Sequence, residues 1–418
     1  MQGLGRPIIS FEDNQHGYRI VCVGKQIRWS KNWRTFPDFL SDYIKSLLTA
    51  EWGNAELAKP DAERHPILRW YRKVGEYHRV QPKLEDGRVQ LREITGAVRA
   101  YLGLAYDLYL CAHNAELPDL LLKRLRNPET FEGALYEAYV IGILAKAGFD
   151  IELEDESDSS RSHCELTAAH RETKRKFSVE AKAVASVSTR AGLSKAPPRI
   201  RGKLFDALRK RADHERLIFI ELNRVGTGGP SEKPEWIQHV EVEIQDAERN
   251  LTIDGQAAPP AYVFVTNRGF IHALDSTRWT EVGLACGYKI ADFAFRMGAR
   301  TMLELVNARD KHVEMHWLRK ALYAYSIPST FDDHLPEEEV DSNLPRLLIG
   351  SNYQVPNEGG ENVPGLLVDA CVLEEEGAAY GVYKLDDGRH ITCKTPLTET
   401  ELAVYRRSPL TFLVSFGQ

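Results

Sequence analysis

Apolar and polar residues alternate along residues 176–184, and this alternation predicts a β-strand. Successive side chains of a strand point to opposite faces, so one face of this strand is apolar. The other face carries Ser178, Glu180 and Lys182. An acidic and a basic side chain therefore point to the same side, with only Ala181 between them. Such a pair can hold a divalent metal and position a water, or it can be an ordinary exposed charge pair.

The segments around this strand follow patterns that predict a regular order of elements. Apolar residues predict a buried helix that begins at Asn127-Pro128 and ends before Gly148, because Asn caps helices, Pro suits their first turn and Gly stops them. Further patterns predict strands at 149–154, 162–168, 216–222 and 261–266, and helices at 200–212 and near 237–250. The predicted order is helix, three strands, helix, strand.

The two ends of the chain differ from this central part. Residues 1–126 combine a strand meander at 7–30 with helices at about 36–52 and 89–112, which predicts a mainly helical N-terminal region. Residues 336–418 contain short alternating runs and the hairpin signal Asp386-Asp387-Gly388, which predicts a small β-rich, barrel-like domain. We therefore expect three domains, at 1–126, 127–335 and 336–418.

Composition narrows the class of protein. The chain has 418 residues, of which 43% are hydrophobic and 27% charged, as is common in soluble globular proteins. No apolar run approaches the ~18 residues of a membrane span, and the N-terminus has no signal-peptide core. The six cysteines are far apart, which argues against a zinc knuckle or a disulfide framework. We expect a cytoplasmic protein that does not bind a membrane.

Charge is distributed unevenly along the chain. The net charge of −6 by itself argues weakly against a nucleic-acid binder. However, residues 171–216 contain 14 Lys and Arg against 5 Asp and Glu, whereas residues 331–380 contain 1 Arg against 12 Asp and Glu. A basic block of +9 around the first strand is the kind of local charge that binds phosphate backbones, although a solvated surface would have the same composition.

Two further carboxylates are candidates on chemical grounds. Glu165 lies on the polar face of the predicted strand at 162–168, which precedes the strand of Glu180. Glu137 lies in the helix that we predict to be buried, where a carboxylate is costly unless it is paired or holds a metal.

Residues from about 128 to 225 resemble the core of the PD-(D/E)xK nuclease superfamily, whose fold is that of restriction endonucleases. That core also runs helix, three strands, helix, strand. Glu180-Ala181-Lys182 matches the acid-x-Lys element of the family. Glu165 matches the first acid, and Glu137 matches a glutamate that many members carry in the helix.

The resemblance implies an α/β fold with a restriction-endonuclease-like mixed sheet flanked by helices. It implies a nuclease that hydrolyses phosphodiester bonds with Mg²⁺, or alternatively Mn²⁺, and whose expected substrate is double-stranded DNA. The metal would be held by Glu165, Glu180, Glu137 and the backbone carbonyl of Ala181, since Mg²⁺ prefers oxygen ligands. Lys182 would position or help to deprotonate the attacking water.

The same resemblance implies nucleic-acid contacts from the basic block. These would come from Arg201 and Lys203 on the predicted basic helix, and from Arg190 and Lys195 in the segment before it. The acidic C-terminal domain would either bind a protein partner or cover the basic face.

The chain departs from the family pattern at the first acid. That position is usually Asp preceded by Pro, whereas here Glu165 follows Cys164. His163 shares the predicted face of Glu165, so an alignment shifted by two residues would place His163 there and leave a weaker site or an inactive one. The alternative to a nuclease is therefore a catalytically inactive nuclease-like fold that binds nucleic acid or serves in assembly. The sequence leaves open DNA or RNA, endonuclease or exonuclease, and monomer or homodimer.

Overall fold

The structure of the protein is a computed structural model. It describes residues 8–13, 15–80, 92–153, 164–185, 188–189, 192–193, 199–225, 234–293, 308, 310–323, 325–331, 352–357, 359–397 and 402. The chain divides into two compact units, Gly3–His334 and Leu335–Gln418 with Met1–Gln2. Both units contain strands, and the larger unit is mixed α/β, as predicted. Within the described residues, no helix combines the length and the apolar character that a bilayer crossing requires.

The larger unit begins with a small antiparallel sheet followed by helices. The sheet strands are β1 (Ile9–Asp13), β2 (Tyr18–Val23) and β3 (Gln26–Ser30), so the predicted meander is confirmed. The helices that follow are α1 (Phe36–Leu48), α2 (Ala50–Leu57), α3 (Pro66–Val80), α4 (Gly96–Asn114) and α5 (Asp119–Arg126). The predicted helix at 89–112 is observed as α4, which begins after its cap Thr95. Residues 81–91 lie outside the described part.

A central helix, α6 (Phe131–Lys146), precedes the main sheet. Its predicted start at Asn127-Pro128 is wrong, because Asn127 organises a turn before the helix. The Asn127 side-chain oxygen accepts a hydrogen bond from Glu129 N at 3.0 Å, and its carbonyl accepts one from Thr130 N at 3.1 Å.

The elements after α6 follow the predicted order of three strands, a helix and a strand, with an additional pair of two-residue strands before the helix. They are β4 (Phe149–Leu153), β5 (Leu166–His170), β6 (Lys176–Ala183), β7 (Ser188–Thr189), β8 (Gly192–Leu193), α7 (Arg201–Leu208), β9 (Glu215–Glu221), α8 (Glu235–Asn250), β10 (Thr252–Ile253), β11 (Gln256–Ala257), β12 (Ala261–Arg268), the 3₁₀ helix η1 (Gly269–His272), β13 (Glu281–Tyr288), η2 (Ala291–Phe293) and α9 (Val313–Tyr323).

Six of these strands form one mixed sheet in the order β13-β12-β9-β6-β5-β4. β6, β9 and β12 are parallel to one another, whereas β4, β5 and β13 are antiparallel to their neighbours. The β4–β5–β6 meander therefore passes through α7 to a parallel strand, β9. This connection places β6 in the interior of the sheet.

Each face of the sheet is covered by a different set of helices, because the strands alternate their side chains. Phe177 and Val179 of β6 pack into a core that also contains residues of α1, α3, α4 and α6. Ile218 and Ile220 of β9 point to the opposite face and pack with α7 and α8. The N-terminal helices thus share a core with one face of the sheet, and the predicted three-domain division stays a prediction.

The smaller unit is β-rich, as predicted. Its strands are β14 (Asn352–Pro356), β15 (Asn362–Leu373), β16 (Ala378–Leu385) and β17 (His390–Pro396), with η3 (Glu374–Glu376) between β15 and β16. They pair antiparallel in sequence order around a core of Val355, Leu367, Tyr383 and Leu385. The predicted hairpin at 386–388 joins β16 to β17, and Gly388 adopts a φ of 83° there. Closure into a barrel stays a prediction.

Candidate active site

β6 positions the first two candidate residues, Glu180 and Lys182. Val179 and Ala181 point to one face of the sheet, and Glu180 and Lys182 point to the other. The face that carries Glu180 and Lys182 is the one covered by α7. The Glu180 side chain is only 1% exposed, and its carboxylate forms an ion pair with Lys182 on the same strand. A nearly fully buried carboxylate requires such a partner, because an isolated buried charge is costly.

Glu165 lies just before β5 and turns onto β6. Its backbone N–H donates a hydrogen bond to the carbonyl of Val179 at 3.1 Å. Its side-chain Oε2 accepts a hydrogen bond from Ala181 N at 3.0 Å, and Oε1 lies 3.5 Å from Lys182 Nζ. The structure therefore brings Glu165, Glu180 and Lys182 together. His163, the other candidate for this position, lies outside the described residues.

The backbone of Ala181 faces the same group. In an antiparallel pair, the N–H and the C=O of one residue point to the same neighbouring strand, and so do those of the residue two positions along. Because the Val179 carbonyl and the Ala181 N–H both point toward Glu165, the Ala181 carbonyl also points to that side of β6. The set of metal ligands that the resemblance implies stays a prediction.

Lys210 is a member of the group that sequence reasoning missed. It follows the C-terminal end of α7, and its Nζ lies 2.7 Å from Glu180 Oε1. The pattern predicted a helix at 200–212, which would have included Lys210. The helix ends at Leu208, and the turn after it directs Lys210 inward. No periodic signal could have shown this, because the contact depends on how the chain turns.

Burial and neighbouring charges shift the pKa values of Glu165 and Lys182. Burial and the neighbouring Glu180 raise the pKa of Glu165, and Lys182, Lys210 and the Ala181 N–H only partly offset this. Burial tends to lower the pKa of Lys182, but the adjacent carboxylates of Glu165 and Glu180 outweigh burial and raise it. Lys182 therefore stays an ammonium ion at neutral pH.

A polar cavity of about 200 Å³ lies beside this group. Ser178, which shares the face of Glu180 two positions earlier on β6, lines it together with Cys164 and Thr167. Arg211 and His214, from the segment after Lys210, close the other side. Burial raises the pKa of the Cys164 thiol to about 12, so this group is neutral and is not a nucleophile at neutral pH. The acidic side chains of Glu152 and Asp213 and the basic side chain of Lys176 complete its lining.

Glu137 does not join the group in the part of the chain that the structure describes. Its carboxylate is buried on α6 and forms an ion pair with Arg124 of α5. The buried charge is thus compensated by an arginine, which accounts for its presence without a metal.

The predicted nucleic-acid contacts are only partly available. Arg201 forms an ion pair with Asp246 of α8 at 2.6 Å, and Lys203 is half-buried on α7. Arg190 and Lys195 lie outside the described residues. Other cations of the basic block also have acidic partners, for example Arg175, which contacts Glu215 at 2.6 Å. The formal charge of the block therefore overstates the positive charge that a ligand would meet.

The oxygen atoms of the site can be compared with the ligands that a divalent metal requires. Among the described residues, no group of three or more His, Cys, Asp and Glu side chains is arranged to hold a metal. The site offers two carboxylates, from Glu165 and Glu180, and the Ala181 carbonyl, which are hard oxygen donors of the kind that Mg²⁺ takes with several waters. In addition, the buried Oε2 of Glu180 has no hydrogen-bond partner in the structure. These donors fit a partly hydrated Mg²⁺.

Comparisons with known proteins give no information on function. No protein-family model matches the chain, and neither a curated protein nor a solved structure is significantly similar to it.

Proposed function

We propose that this protein is a Mg²⁺-dependent nuclease that hydrolyses phosphodiester bonds, with DNA as the expected substrate. The observation that carries this proposal is the convergence of Glu165, which immediately precedes β5, with Glu180 and Lys182 of the adjacent strand β6. The order of elements from α6 to β9, with an antiparallel meander crossing to a parallel strand, supports a restriction-endonuclease-like core. Each element of the family motif then has a counterpart at the site except the helical glutamate. Its counterpart in the sequence, Glu137, forms an ion pair with Arg124 instead.

Glu165, Glu180 and the Ala181 carbonyl would hold the metal. Bound Mg²⁺ supplies polarisation of the scissile phosphate and a water of lowered pKa. The protein contributes fixed positions for these oxygens, because β6 lies between two hydrogen-bonded strands and Glu165 is tied to the backbone of Ala181. Such preorganised ligands reduce the reorganisation needed for catalysis.

Lys182 would orient the attacking water and offset the charge that develops on the phosphate. Its ammonium ion contacts both carboxylates that would hold the metal, so it would lie next to a metal bound there. The raised pKa of Lys182 means that it acts by its positive charge and its hydrogen bonds and does not serve as a base at neutral pH.

One observation favours the alternative of an inactive nucleic-acid-binding or assembly module. Two lysines neutralise the two carboxylates in the structure, so the group is stable without a metal. A structural charge cluster would have the same appearance.

The nuclease proposal is tested by incubating supercoiled plasmid, linear DNA and RNA with the protein and Mg²⁺ or Mn²⁺. We expect cleavage by the wild type and a loss of at least about 100-fold in Glu180→Gln and Lys182→Met, because general-acid/base and electrostatic groups typically contribute this much. Glu51→Gln is a matched control, since Glu51 is an exposed acid on α2 that does not line the cavity.

The two readings predict different results. If the wild type cleaves none of these substrates at high enzyme concentration with either metal, the nuclease proposal is rejected. Binding of the same DNA without cleavage would then favour the inactive module.

A further inference from the structure

Lys210 is held against the most buried carboxylate of the site. The Lys210 N–H donates to the carbonyl of Ala207 at 3.3 Å, and the Lys210 carbonyl accepts from the guanidinium of Arg216 at 3.2 Å. These bonds fix the backbone, and the side chain extends from it to place Nζ 2.7 Å from Glu180 Oε1. The contact is therefore built into the end of α7.

The charges of the group are balanced without a metal. Two carboxylates face two ammonium ions, and none of the four side chains is more than 21% exposed. A divalent cation added to this arrangement would give the group a net charge of +2 in a poorly solvated place. Because like charges a few ångströms apart repel strongly there, binding of a metal favours the departure of an ammonium ion.

The two lysines are not equally able to leave. Lys182 contacts both Glu165 and Glu180, whereas the ion pair of Lys210 is with Glu180. The flexible four-carbon stem of a lysine can carry its ammonium several ångströms without backbone movement. Lys210 is therefore the side chain that a metal would displace.

The polar cavity beside the site could receive the side chain of a displaced Lys210. Arg211 and His214, which follow it in the chain, line the polar cavity together with Ser178 and Lys176 of β6. The carboxylates of Glu152 and Asp213 also line this cavity and would attract the displaced ammonium ion. An ammonium ion turned toward this cavity would meet any phosphate that lies there.

We propose that Lys210 holds Glu180 in the metal-free protein, that a divalent cation displaces it, and that the freed ammonium then contacts a phosphate of the nucleic acid. This inference rests on the proposed function, since it assumes that the Glu165–Glu180 group binds a metal. Metal binding and nucleic-acid binding are then coupled through one side chain, because each favours the displaced position of Lys210.

The displacement is tested by titrating the protein with Mn²⁺ alone and measuring bound metal by electron paramagnetic resonance. We expect Lys210→Gln to bind Mn²⁺ about tenfold more tightly than the wild type, because a competing positive charge is removed. Lys123→Gln is the matched control, since Lys123 is an exposed lysine on α5 that does not line the cavity. Its affinity should equal that of the wild type, and Glu180→Gln should lose the site.

Two further variants keep the result interpretable. Lys210→Arg retains the charge and should bind Mn²⁺ like the wild type. If Lys210→Gln does not fold, as judged by circular dichroism, Lys210→Met gives the same comparison. Equal or weaker Mn²⁺ binding by the neutral variant, with Glu180-dependent binding in the wild type, overturns the displacement and leaves the nuclease proposal standing. Absence of Glu180-dependent Mn²⁺ binding in every variant rejects both.

The phosphate contact is tested by fluorescence anisotropy with a DNA duplex, comparing Ca²⁺ with EDTA. We expect Ca²⁺ to increase the DNA affinity of the wild type, and we expect the increase to be at least about threefold smaller in Lys210→Gln, because one phosphate contact is lost. An equal increase in both proteins would show that the displaced lysine does not contact the nucleic acid.

Discussion

Asp107 lies on α4 in a network of buried polar side chains. Its carboxylate accepts a hydrogen bond from the hydroxyl of Tyr325, and Arg99 nearby forms an ion pair with Glu281 at 2.8 Å. Burial raises the pKa of Asp107 to about 7, although Tyr325 and Arg99 oppose this effect. The protonated form is thus favoured in the folded state, because the charged form is poorly solvated.

This raised pKa predicts a pH dependence of stability. The contribution of Asp107 to the free energy of unfolding is complete below pH 3.8, its ordinary value, and is lost as the pH rises through about 7. Within that window the loss is at most ~1.4 kcal/mol per pH unit. Asp107→Asn has no titratable group, so the difference in unfolding free energy between the wild type and the variant should fall as the pH rises from 4 to 7. Urea unfolding across this pH range measures it, and parallel curves for the two proteins would contradict the assignment.

At the scale of elements, the start of α4 is docked onto the backbone after η1. Gly96 N donates to the carbonyl of Ser276 at 2.9 Å, and Ala97 N donates to that of Leu274 at 3.0 Å. The first N–H groups of a helix have no partner within it, so these carbonyls satisfy them. The approach is close enough that a side chain at Gly96 would collide with backbone carbonyls of Phe270 and Ala273.

Gly96→Ala should therefore destabilise the larger unit. We expect a loss of about 1–3 kcal/mol in the free energy of unfolding, as for other substitutions that overpack a close contact. Gly75→Ala, in the exposed part of α3, is the control: nothing lies within 4 Å of the added methyl group, and alanine should stabilise the helix by up to about 1 kcal/mol. Chemical denaturation of both variants measures the difference. Equal stabilities would mean that the α4 docking is looser than the structure shows.

At the scale of the whole molecule, each hydrophobic core lies within one of the two compact units. The two larger clusters contain buried residues up to Phe331, and the small cluster contains residues from Val355 on. Each unit therefore has its own apolar interior, which is the physical requirement for independent folding.

A chain ending at residue 334 should accordingly keep the fold of the larger unit. We expect it to unfold cooperatively, with a melting temperature within a few degrees of the corresponding transition of the full chain, since the two larger clusters include none of the described residues after 334. Differential scanning calorimetry of both proteins tests this. A shortened chain without a cooperative transition would show that the larger unit depends on the remainder of the protein.

The local pattern of the sequence determined the elements and the faces of their residues. The alternation along residues 176–184 placed Glu180 and Lys182 on one side of β6, since the period of a strand is a property of its backbone. The order from α6 to β9 followed for the same reason, because periodicity and turn residues are local signals. The position of Glu165 beside Glu180 followed from the pairing of consecutive strands.

Only the tertiary structure decided which charged groups meet. Lys210 reaches Glu180 because α7 ends at Leu208, and Glu137 is neutralised by Arg124 of another helix. Likewise, Arg201 is paired with Asp246, 45 residues away in the chain. Such contacts depend on how helices pack and how turns direct the chain, and a charged side chain carries no periodic signal of its partner. The sequence by itself therefore determined the strand that bears the candidate site, and the packing around that strand decided which cations share it.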